Sequence, residues 1–61
     1  MKVKRTKKGY DDKSWYAMNF LGYWTPDETK ATYFSLEEAN EMVNRGNRVN
    51  NSYKYEVLEE V

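Results

Sequence analysis

The chain contains no cysteine and no histidine. That excludes disulfides and thiol redox chemistry, and also ordinary zinc sites, which draw on those two side chains. The commonest acid–base group and the strongest common nucleophile are missing with them. Proline occurs once, and the three glycines stand isolated at Gly9, Gly22 and Gly46, so no glycine-rich loop can cradle a phosphate. No apolar run approaches the ~20 residues that span a bilayer, and no signal-type apolar segment follows the basic start. The expectation is a cytoplasmic chain with no catalytic residue, no cofactor, no metal, no membrane contact and no small-molecule substrate.

What is present is short and aromatic. A 61-residue chain makes one small domain, residues 1–61, and buries only roughly 60% of its unfolded surface. Small domains usually need a staple or a partner. Here two Trp, six Tyr and two Phe can supply the missing burial, because each large ring removes much apolar area from water. Ten basic and ten acidic residues cancel, but unevenly along the chain. Lys2, Lys4, Arg5, Lys7, Lys8 and Lys13 crowd the start against Asp11 and Asp12, and acids dominate afterwards. Such asymmetry bears on partners rather than fold.

The clearest local signal is Ser35–Glu38, an S-x-x-E capping box. Leu36, Ala39, Met42 and Val43 follow at helical spacing, so a helix is expected from about Leu36 to Arg45. Gly46 suits a left-handed stop. Residues 9–13 and the Pro26 segment read as turns. Residues 14–24 and 29–34 read as strands, and 53–61 alternates as a half-buried strand through Tyr53, Tyr55 and Val57. Residues 1–8 are either a basic arm or an edge strand. The fold class is α+β: a small, largely antiparallel sheet of three or four strands with one helix on one face, in the order β-β-α-β with room for an extra N-terminal strand. Phe20, Phe34, Leu36, Ala39, Met42, Val43, Tyr55 and Val57 are the expected core.

Trp15-Tyr16-Ala17-Met18, the turn at Pro26-Asp27, the block from Ala31 to Ala39 and the ending from Tyr55 to Val61 together resemble small accessory proteins of tailed bacteriophages and related mobile elements. The resemblance implies a host-interaction or accessory role in a bacterial host, with a host or defence protein as partner, and it carries no catalytic residue across.

The acid pairs Asp11-Asp12, Glu37-Glu38 and Glu59-Glu60 are not catalytic dyads, since neighbouring side chains diverge on strand and helix alike. One helix cannot cover both sides of an aromatic sheet, so the leading expectation is a protein interface. Its candidates are Trp15 and Tyr23 on the face away from the helix, Tyr33, and the acidic Glu37 and Glu41 for a basic partner surface. The same open face, or a free sheet edge, could serve a homodimer. The alternative is nucleic-acid binding, with Lys2, Lys4, Arg5, Lys7 and Lys8 neutralising phosphates and exposed rings stacking bases for about 1–3 kcal/mol each.

Overall fold

A computed structural model describes residues 1–10, 13–49 and 52–58. Strands β1 (Lys2–Lys7), β2 (Ser14–Ala17), β3 (Trp24–Thr25) and β4 (Tyr53–Leu58) form one antiparallel sheet in the order β3-β2-β1-β4. Helix α1 (Leu36–Val49) packs against β4 and β1 on one face. The α+β class and the single helix agree with the sequence reading. The last strand and the extra N-terminal strand also form, whereas the expected strands over 14–24 and 29–34 are changed.

Residues 1–8 are neither an arm nor an edge strand. β1 is central, with Val3 opposite Val57 and Arg5 flanked by Trp15 and Tyr55. Pairing on both sides satisfies its backbone, and Val3, fully buried at 0% exposure, is its core anchor. Period-two alternation sends Val3, Arg5 and Lys7 toward the helix and Lys2, Lys4 and Thr6 away from it.

The expected strand over 14–24 breaks after Ala17. Asn19 Oδ1 accepts from the amides of Leu21 (2.8 Å) and Tyr23 (3.3 Å), and Gly22 takes a φ of 107°. The chain therefore loops out over 18–23 before returning as β3. The expected strand over 29–34 is replaced by a 3-10 turn, Glu28–Lys30, capped by Asp27, followed by extended chain. Part of that segment still borders the sheet. Thr32 N donates to Ala17 O (3.1 Å), and Met1 and Phe34 exchange two backbone hydrogen bonds of 2.6 Å each.

The capping box forms as expected. Glu38 N donates to Ser35 Oγ (3.2 Å), and Glu38 Oε1 accepts from Ser35 N (3.3 Å). Gly46, however, does not end the helix, which runs on to Val49. It is buried, and positive φ is confined to Gly9 and Gly22 among the described residues. Its reason is close approach: a Cβ there would meet Tyr55 Cγ, Cδ1 and Cδ2 at 2.7 Å. The next residue completes the join. Asn47 Oδ1 accepts from Tyr55 N (3.0 Å) and its Nδ2 donates to Tyr55 O (3.2 Å), so the outer edge of β4 is sealed there by a side-chain amide.

The core comprises Val3, Ala17, Phe34, Ala39 and Met42, with Met1, Phe20, Trp24, Val43 and Val57 packed around it and Tyr55 also buried. Leu36, expected inside, is 52% exposed; Phe34, just before the helix cap, is buried at that end instead.

Candidate functional site

The sheet side facing away from the helix is polar. Lys4, Thr6, Ser14, Tyr16, Lys54, Glu56 and Leu58 share it by register. Lys4 pairs with Glu56 at 3.8 Å, and the hydroxyls of Thr6 and Ser14 lie 3.2 Å apart. Trp15 is not on this face. It stands beside Arg5 on the helix side, edge-on to Tyr53 with ring centroids 5.9 Å apart. The aromatic surplus therefore gathers on the side that the helix only partly covers.

There, Arg5 organises a cluster of rings. Its Cζ lies 4.4 Å from the Tyr53 centroid, 4.5 Å from that of Trp24 and 6.0 Å from that of Trp15. Trp24 and Tyr53 each meet Tyr55 edge-on, at 5.7 and 6.3 Å. A guanidinium is weakly hydrated and stacks well on rings, which lets a cation occupy an inward position of a central strand. Arg5 Nε is buried without a hydrogen-bond partner among the described residues, packed instead among the rings.

Beside this cluster lies a groove of about 170 Å³. Trp24, Met42 and Tyr55 line it, with Gly46 packed closely against the Tyr55 ring. Its rim carries Gly22, Arg45 and Val49. Arg45 ties the rim together, donating to Phe20 O (3.4 Å) and lying over the Phe20 ring at 5.1 Å. Around it the surface is strongly apolar: Leu21 is 85% exposed, Val49 72% and Tyr23 66%. Leu21 and Tyr23 flank Gly22 on the loop held by Asn19.

The expected interface residues do not form one surface. Tyr23 belongs to the groove's surroundings and Trp15 to the Arg5 cluster. Tyr33 sits at the other end, under Lys2 Nζ at 5.0 Å. Glu37 and Glu41 line the outer surface of α1 with Asn40, Asn44, Arg45 and Arg48. The candidate phosphate contacts are dispersed as well. Lys2 is buried and donates to Glu28 O (3.1 Å), Lys4 pairs with Glu56, Arg5 lies among rings, Lys7 lies over Tyr10, and Lys8 is exposed. Alternation along β1 divides them between two faces.

Leu21, Trp24, Arg45 and Val49 were not among the expected site residues. The available signal was Asn19 three residues before Gly22, a turn pattern inside a β-prone stretch that Gly22 interrupts. Among the described residues there is no group of His, Cys, Asp or Glu able to hold a metal, and no helix is long and apolar enough to cross a membrane. Compared with protein-family models, curated proteins and solved structures, the chain finds no match.

Proposed function

We propose that this protein is a non-enzymatic binding module that receives an apolar, acidic segment of a partner protein in the groove between the 18–23 loop and the C-terminal half of α1. The observation that carries the reading is the exposure of Leu21, Tyr23 and Val49 around a preformed groove lined by Trp24 and Tyr55. Exposed apolar side chains beside a groove on so small a domain are an interaction signature, and aromatic pockets hold the residues that dominate interface energy. Charge selects the partner: Arg45 stands on the rim, Arg48 is one turn away on the outer helix surface, and Arg5 lies behind Trp24. The resemblance to phage accessory proteins points to a host or defence protein as the source of that segment. A catalytic role has no support from a chain without histidine or cysteine.

Strand addition is a weaker mode. Asn47 occupies the backbone of Tyr55 on one edge, and β3 on the other is two residues long and followed by Pro26. Nucleic acid ranks second because the β1 cations face opposite ways. The test is a Leu21→Ser, Val49→Ser double variant beside a Glu37→Ala, Glu41→Ala control. Both pairs are exposed, so melting temperature should stay nearly constant. The groove variant should lose a partner captured from bacterial lysate, and the control should keep it. Loss in the control alone would move the interface to the outer face of α1. A concentration-dependent dimer abolished by the groove variant would make the occupant a second copy.

A further inference from the structure

We infer that the groove reads a two-part signature, one aromatic side chain next to an Asp or Glu, and that Arg45 is the residue that reads the carboxylate; this rests on the binding role given above to the groove. The groove has room for one large side chain. It holds about 170 Å³, and an engineered cavity of about 150 Å³ in another protein takes one benzene. One ring therefore fills it, and the residues beside that ring meet Leu21, Tyr23 and Val49, which are exposed around it. The walls prefer a ring to an aliphatic chain. Trp24 and Tyr55 are inclined at 68° with centroids 5.7 Å apart, so a ring lying flat on one is steeply tilted to the other, and both arrangements are favourable. Met42 also lines the groove, and a thioether adds a favourable contact to a ring edge.

Charge sets the second part. Arg45 is the one charged side chain among the described residues that line the groove, so no carboxylate competes from within it. Arg45 is exposed, and its guanidinium is held in place: Nη2 donates to Phe20 O at 3.4 Å and Cζ lies 5.1 Å from the Phe20 ring centroid. A guanidinium set on a ring keeps its other in-plane N–H groups for a planar carboxylate. Glu41, one helical turn earlier, has the spacing of an intrahelical partner, yet the two do not pair, the ion pair among the described residues being Lys4–Glu56. Arg45 is itself part of the groove wall. A residue next to the seated ring, about 3.8 Å along the chain, thus has its side chain within reach of the guanidinium. Arg48, on the adjoining outer surface of α1, adds attraction of the same sign.

The experiment selects peptides from a random display library on the unaltered protein. Each is then remade with its aromatic residue changed to Leu, with Asp and Glu changed to Asn and Gln, or with an amidated C-terminus. On the unaltered protein the Leu version should bind about three- to tenfold more weakly. The neutral version should lose about tenfold or more, and the amidated version should bind equally well. Arg45→Glu should reverse the charge preference, favouring the peptide with Lys in place of its acid, whereas a purely structural Arg45 would weaken both versions alike. The comparisons on the unaltered protein stand even if Arg45→Glu fails to fold. Peptides that lose affinity to Leu21→Ser, Val49→Ser yet tolerate Leu or neutralisation would overturn the matching half of the signature and leave the groove as a binding site. A loss on amidation alone would overturn the side-chain carboxylate. A dimer lost in the groove variant, with no peptide selected, would give the groove to a second copy and overturn the signature. Peptides indifferent to the groove variant, or a library that yields none from a monomeric protein, would overturn both readings.

Discussion

Adding one methyl group at Gly46 should destabilise this protein, although the same change in an exposed helix is favourable. Glycine costs a helix interior about 1 kcal/mol relative to alanine. Here the new Cβ would sit 2.7 Å from Tyr55 Cγ, Cδ1 and Cδ2. These are the atoms nearest the backbone of β4, so the ring cannot swing clear by moving a flexible tip. Trp24 and Tyr53 crowd it, and Asn47 clamps its backbone. Either the helix or β4 must move, and such overpacking costs about 1–3 kcal/mol. Gly46→Ala should therefore lose up to about 2 kcal/mol net, from a total of roughly 3–9 kcal/mol for this length. Urea unfolding followed by tryptophan fluorescence reads the change as a lower midpoint at constant slope. The control is the sign of the effect when the ring is gone. In a Tyr55→Ala background, held folded with trimethylamine N-oxide, Gly46→Ala should become neutral or stabilising. If Gly46→Ala stabilises the unaltered protein, helix and strand are not in contact at this point and the floor of the groove is misplaced.

Three further outcomes follow from the same packing. Removal of residues 1–7 should abolish cooperative unfolding by circular dichroism, because it takes out the central strand and Val3; a truncated chain that still melts cooperatively would contradict the strand order. Asn47→Ala should cost about 1–3 kcal/mol through two lost hydrogen bonds and should raise aggregation by freeing the β4 edge, read by denaturation and light scattering. Asp27 should titrate below an ordinary aspartate, held there first by the Thr29 hydroxyl, then by the Thr29 amide and the charge of Lys30. A lowered carboxyl pKa adds stability above the unfolded value and loses it as pH falls through the folded one, so the 3-10 turn should loosen only in acid. Carbon-detected NMR titration should show the Asp27 midpoint rising in Thr29→Val.

The elements legible in the sequence are those written locally. Ser35 and Glu38 are three residues apart and make their own contacts, and Tyr53, Tyr55 and Val57 alternate in an unbroken strand. The errors lie where distant parts of the chain decide. Lys2–Lys7 carries one apolar residue and reads as a basic arm or an edge strand, yet its neighbours supply rings that accept Arg5 on the buried side. Gly46 has the position of a helix stop, and only Tyr55, nine residues later, explains why it continues the helix. The groove was hidden for the same reason: Leu21 and Tyr23 occur in a β-prone stretch, and the Asn19 turn that lifts them out reads as part of it. Trp15 reads as facing away from the helix because both sides of 14–24 are apolar, and its register with Arg5 places it on the helix side.

The most direct measurement of the central claim is an amide and indole chemical-shift map of the labelled protein titrated with its captured partner or with a selected peptide. The expected perturbations cluster on Leu21, Gly22, Tyr23, the Trp24 indole, Arg45 and Val49. Perturbations centred on Lys4, Tyr16 and Glu56, or on Glu37 and Glu41, with the Trp24 indole unmoved, would contradict it.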